Sequence, residues 1–306
     1  VPETIKHEKF LLIFRLLEEV SSNILCVFST SEKCRIMYEN LPTSKEKILY
    51  PSKQKITQTI ENVIVICTPE RLEKVLAFYS THNWLSEFDS VIFYDSDLLL
   101  NDVRGNTLEA DIIRISRFNP YIRKIMLLTK IKNVEDLAIW TKSCFIDFNS
   151  DCAMKYVSKF FERNNVLLQS LIEIVSSSSR TYSELKSFFK SSFAYFQGQV
   201  TPSLEKILSQ LIKHGLIMKE KNYYPTSLGK VCVGLRIPLE YQLEIISEIK
   251  RGVTPRILKK KIRVNDPYLY HWICYGIDCI YKLIGGKQNE RICKDEKWNR
   301  DFKYKW

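Results

Sequence analysis

Short apolar runs alternate with amphipathic stretches through the first half of the chain. Residues 24–28, 63–67, 91–94 and 125–128 are runs of four or five apolar positions rich in β-branched or aromatic side chains. Such runs suit strands buried on both faces of a parallel sheet. Helical periodicity fills the intervals, at 9–20, 32–39, 70–80 and 108–117. The alternation predicts an α/β layer fold. After Trp140 the strand-like runs stop. Helices are expected at 166–175, at 182–189 with Thr181 as its cap, and at 202–214, where Leu204, Ile207, Leu208, Leu211 and Ile212 share one face and Gly215 ends the helix. Residues 216–226 read as a short hairpin with Lys221 and Asn222 at its tip. Three helices followed by a β-wing predict a winged helix, with the aromatic cluster Phe188, Phe189, Phe193, Tyr195 and Phe196 in its core.

Composition narrows the picture. A length of 306 residues allows two or three domains, and a hydrophobic content of 45% is enough for their cores. No apolar run approaches the ~18 residues of a bilayer-spanning helix, and no secretory leader pattern opens the chain. The nine cysteines show no Cys-x-x-Cys pair and no zinc spacing, with Cys274 and Cys279 the nearest C-terminal pair, and the four histidines are scattered. This usage predicts reduced core thiols in a cytoplasmic protein, nucleoid association included, without metal or cofactor. The net charge of +11 is uneven: residues 1–150 hold 19 basic and 20 acidic side chains, residues 151–306 hold 27 and 15. A polyanion-binding half joined to a neutral half would show this asymmetry.

Candidate chemistry sits where the third apolar run ends. Asp95-Ser96-Asp97-Leu98 closes that run, and Arg104-Gly105-Asn106-Thr107-Leu108-Glu109 follows after a short spacer. Thr68-Pro69-Glu70-Arg71 closes the second run and opens a helix, with proline in the first turn. In this order, and with Ile131 to Trp140 after the fourth run, the segments resemble the Ski2-like group of superfamily 2 helicases. Arg180-Thr181, Phe188-Phe189-Lys190, Phe193 and Pro225-Thr226-Ser227-Leu228-Gly229-Lys230 are similar to the winged helix of the archaeal DNA repair members of that group. From Leu239 the chain is similar to the start of their ratchet-like helical domain, including Trp272 and Tyr275. The resemblance covers roughly residues 20–285. It implies a partial RecA-like domain at 1–145, a winged helix at 146–238, and a short helical domain at 239–306 with a basic aromatic tail.

The departures carry the functional expectation. The group has Asp-Glu-x-His where this chain has Asp95-Ser96-Asp97-Leu98, and a hydroxyl cannot act as general base for water attacking a phosphate. Leu128-Thr129-Lys130 replaces the group's Ser-Ala-Thr. No Gly-x-x-x-x-Gly-Lys-Ser/Thr occurs, and Gly285-Gly286-Lys287 lacks the rest of that loop. With about 90 residues before Asp95, the nucleotide-binding strand and loop are read as deleted, and the second RecA-like domain as missing. These losses predict a helicase-like protein without ATPase activity, an accessory factor in DNA replication or repair that binds single-stranded or branched DNA. The contacts expected are Thr68, Arg71 and Arg104, then Lys206, Lys213 and Lys221 of the winged helix. To these is added the run Lys250, Arg251, Arg256, Lys259, Lys260, Lys261 and Arg263, which contains no acid. The tail mixes Lys297, Arg300, Lys303 and Lys305 with Trp298, Phe302, Tyr304 and Trp306, a pattern suited to single strands and equally to docking on a partner or on the chain's own core. Two other classes compete. One is a protein-interaction module pairing with an active helicase, nuclease or primase. The other is an enzyme whose Asp95 and Asp97, at i and i+2, hold a metal for phosphodiester or nucleotide chemistry.

Overall fold

The computed structural model describes residues 23–40, 46–49, 62–78, 83–102, 104–128, 131–143, 155–235, 237–264 and 267–285. The helix expected at 9–20 and the basic aromatic tail lie outside them. The chain divides into two compact units, one of residues 1–160 with 190–200, the other of residues 161–189 with 201–306. The second unit holds both the residues expected to form a winged helix and the C-terminal helices.

The first unit is built on a parallel five-stranded sheet. Its strands are β1 (Asn23–Val27), β2 (Glu46–Leu49), β3 (Val63–Cys67), β4 (Phe88–Phe93) and β5 (Arg123–Met126), in the order β2-β3-β1-β4-β5. β1 and β3 are buried at every position, as their unbroken apolar runs require. Helix α1 (Ser31–Asn40) covers one face. There Cys34 and Met37 pack with Ile24, Cys26, Ile64, Ile66 and Ile92. Helices α2 (Pro69–Phe78) and α3 (Gly105–Phe118) cover the other, where Leu72, Leu76, Leu108, Ile112 and Ile115 meet Leu25, Val27, Val65, Val91 and Phe93. The α/β layer is therefore as expected from the alternation of runs.

Two details differ from the sequence reading. β2 is an edge strand whose Glu46-Lys47-Ile48-Leu49 has too few apolar residues to register as a run. β5 begins two residues earlier than expected, because this half-exposed strand opens with Arg123 and Lys124.

Helix α3 is buried along nearly its whole length, from Gly105 to Ile115. Helix α4 (Val134–Thr141), the strand-like segment 155–160 and the short helix α7 (Phe193–Phe196) complete this unit. Phe193 is fully buried and its ring packs against Tyr156, Trp140 and Phe196 at 5.2–5.6 Å between centroids. Phe193 thus belongs to the first unit and not to the core expected for a winged helix, while Tyr195 and Phe196 are each 42% exposed.

The second unit contains α5 (Arg163–Ser177), α6 (Tyr182–Lys190, its last residue counted with the first unit), α8 (Leu204–His214), a hairpin of β6 (Ile217–Lys219) and β7 (Tyr223–Pro225), and α9 (Ser227–Gly234). Arg180 and Tyr223 exchange both backbone bonds, adding a third short strand position to the hairpin. Thr181 and Glu184 form a reciprocal capping box at α6. Gly215 closes α8 at φ 78°. Thr226 caps α9, accepting from Gly229 N–H at 3.0 Å and donating to the Gly215 carbonyl at 2.7 Å. Any side chain at Gly229 would place its Cβ 2.1 Å from the Leu216 carbonyl oxygen. α10 (Leu239–Lys250), α11 (Pro255–Lys261) and α12 (Pro267–Ile284) follow among the described residues. Among the described residues no helix is long and apolar enough to cross a membrane.

Candidate functional site

Chain order locates a crevice in the first unit. The connection after β1 leaves toward β2, and the connection after β4 leaves toward β5, so the ends of β1 and β4 flank the point where the winding reverses. Open parallel sheets take their ligands at such a switch point, beyond the carboxyl ends of the strands. Here the residues are Phe28, Ser29 and Thr30 on one side, Tyr94, Asp95 and Ser96 on the other.

Asp95 is bracketed from across the crevice. Its Oδ2 accepts the Ser29 N–H at 3.1 Å and the Ser29 hydroxyl at 2.7 Å, and its Oδ1 accepts the Lys33 ammonium at 2.8 Å. Lys33 stands in the first turn of α1, where Thr30 Oγ1 accepts its backbone N–H. Burial pushes the Asp95 carboxyl up, but Lys33 and the two Ser29 donors outweigh it and hold it below the usual aspartate value. Ser96 is fully buried, its hydroxyl donating to the Phe93 carbonyl at 2.9 Å. Asp97 is half-buried in the following turn (Ser96–Leu100), and Leu98 packs on the core.

The motif downstream is a structural corner. Arg104 donates to Glu70, the acid of Thr-Pro-Glu, and so ties the start of α3 to the start of α2. Burial would raise the Glu70 carboxyl. The Arg104 bond, the helix amide and Thr68 together bring it below its ordinary value. Thr68 is buried, its hydroxyl engaged with Glu70, so it is no surface group. Arg71 is half-buried, and its charge reaches the Cys34 thiol, which burial pushes up to about 11. Gly105 is needed because a Cβ there would lie 2.3 Å from the Leu99 carbonyl oxygen. Glu109 is fully buried and accepts four bonds: from Tyr156 and Ser158 hydroxyls at 2.6 Å each, and from Phe193 and Ala194 amides at 2.8 and 3.3 Å.

In the second unit the candidate nucleic-acid contacts gather. Lys206 and Lys213 are exposed on α8 and Lys221 at the wing tip. Lys250 donates to the His214 carbonyl at 3.0 Å, capping the end of α8 and joining the basic run to that helix. The run is not free of acid in space. Glu248 of α10 pairs with Arg251 at 2.6 Å and with Lys261 at 3.6 Å, and Asp278 of α12 pairs with Lys259 at 2.7 Å. Arg256 and Lys260 are exposed and carry no ion pair among the described residues, and Arg263 donates to the Lys260 carbonyl. Sequence reasoning found Asp95 and these cations. It missed Ser29, Lys33, Tyr156 and Ser158, whose only local signal was that Ser29 follows β1 as Asp95 follows β4.

No protein-family model matches the chain. The chain is 25% identical over 198 residues to the ATP-dependent DNA helicase MER3 of Saccharomyces cerevisiae, an alignment covering 54% of this chain and 16% of that protein. The chain thus spans about a sixth of the curated relative it matches. That relative is a yeast protein, so the likeness is not confined to archaeal sequences. With the parallel α/β sheet and the ordered motifs, this likeness marks the chain as helicase-related.

Proposed function

We propose that this chain is a helicase-like protein without ATP turnover that binds nucleic acid through its second unit and serves replication or repair as an accessory factor. The observation that carries the binding is the Lys250–His214 bond. It sets the start of the run from Lys250 to Arg263 beside Lys213 at the end of α8, the helix that also carries Lys206, in the unit whose hairpin tip carries Lys221. A surface of this kind neutralises several backbone phosphates at once. The lack of turnover is supported by Ser96, whose buried hydroxyl is spent on a carbonyl and has no basicity to lend to a water.

Fluorescence anisotropy with labelled single-stranded, duplex and forked DNA, across a salt series and with or without ATP, tests this. The expected result is tight binding with a steep salt slope and no effect of ATP. Because Lys259 and Lys261 are already paired, the informative charge reversals are Arg256, Lys260 and Arg263 to Glu. Failure to bind at low salt would move the proposal to a protein-docking module. That second reading is favoured by the exposed apolar side chains Val200 at 90% and Ile139 at 65%.

A further inference from the structure

We propose that Lys33 is the resident cation of the β1–β4 crevice, its ammonium and Ser29 together filling the places that a divalent cation would take on Asp95. The inference rests on the helicase-like reading, because in nucleotide-hydrolysing folds of this kind the strand-end aspartate holds magnesium. The residues present do not fit that group. Magnesium demands near-octahedral oxygen ligands at about 2.0–2.1 Å, with their lone pairs available. Asp95 Oδ1 is engaged by Lys33 at 2.8 Å, and Oδ2 is doubly engaged by Ser29 at 2.7 and 3.1 Å. The next residue offers no second carboxylate, since Ser96 is buried and bonded to Phe93. Among the described residues no group of three or more His, Cys, Asp or Glu side chains could hold a metal.

The bracket also bars the way. It spans the switch point, joining the loop after β1 to the end of β4, so a ligand entering there must break charge-assisted bonds. An incoming divalent ion would meet the Lys33 charge at the carboxylate it seeks, and like charges at that separation repel. Lys33 is half-exposed at 47% while the Asp95 side chain is 18% exposed. The ammonium therefore keeps part of its hydration while it neutralises the more buried acid.

The test uses the full chain and Mn2+ as probe, with thermal unfolding and the electron paramagnetic resonance of Mn2+ as readouts. The wild type is expected to melt at one temperature with or without Mn2+, and to leave the free Mn2+ signal unchanged. Lys33→Met and Asp95→Asn should each lower Tm by roughly 2–6 °C, and the loss in the double variant should fall short of their sum, because both remove the Lys33–Asp95 pair. Lys33→Met should gain a Mn2+-dependent rise in Tm that Lys33→Met/Asp95→Asn lacks. A Mn2+-dependent rise in the wild type that Asp95→Asn abolishes would overturn the proposal, as would additive losses or no gain in Lys33→Met. Should Lys33→Met fail to fold, the wild-type Mn2+ titration decides alone. DNA binding is read by other residues, so its failure would leave this inference standing.

Discussion

Asp95 is partly buried and Glu109 fully buried, both at motif positions, yet their surroundings give them opposite pH behaviour. Asp95 is held below its usual value by Lys33 and Ser29. Its contribution is present above the unfolded aspartate value of about 3.9 and is lost as pH falls through the lower folded value. Asp95→Asn should therefore destabilise the chain at pH 7 by about 1–2 kcal/mol, discounted for the half-exposed lysine, and the difference should shrink below about pH 4. Urea unfolding at both pH values checks this. For Glu109 burial is the dominant influence and raises the carboxyl, although Ser158, Tyr156 and two amides pull it back. Its contribution is largest at low pH and declines as pH rises through the folded value. Removing the acceptor altogether is another matter. Glu109→Ala strands four buried donors and should cost about 3–5 kcal/mol, with Glu109→Gln recovering part of it.

At the scale of elements, two glycines decide how helices begin and how they pack. Gly229→Ala should cost at least about 2 kcal/mol, since the added methyl meets the Leu216 backbone and not a side chain that could move. A fall in the urea midpoint without a change in slope would verify it. The same local physics explains what the sequence made legible. β1 and β3 were plain because both faces are covered and every position but Asn23 is apolar. β2 was invisible because an edge strand carries charge. Thr181, Gly215 and the hairpin tip were found because caps and turns are written in neighbouring residues. Asp95 and Ser96 stood out at the end of an apolar run. Their partners did not, because Ser29 lies 66 residues from Asp95 and Tyr156 lies 47 from Glu109, beyond the reach of any periodicity. The same blindness made the run from Lys250 to Arg263 look free of acid, when Glu248 and Asp278 arrive from adjacent helices.

At the scale of the whole molecule, charge and chemistry are separated. In the first unit ion pairs tie elements together: Lys33 with Asp95, Arg104 with Glu70, Arg114 with Glu73. The second unit leaves cations at the surface. Reversing Arg256, Lys260 and Arg263 should flatten the dependence of log Kobs on log salt by about 0.7–0.9 for each phosphate that is no longer neutralised. Reversing Lys206, Lys213 and Lys221 in a separate variant measures the share of α8 and the hairpin. Anisotropy titrations at three or more salt concentrations distinguish the two contributions.

The path of the chain has a consequence for how the molecule can be taken apart. Residues 190–200 belong to the first unit, although the residues on both sides belong to the second. No single break in the backbone can therefore release either unit whole. A protein ending at residue 160 would lack Phe193, the ring between Trp140 and Tyr156, and Glu109 would lose two of its four donors. Heating or denaturant should then melt the two units in one transition, as a knot of two cords loosens only when both are slack. Fragments expressed as 1–160 and 161–306 should be less soluble apart than the intact chain.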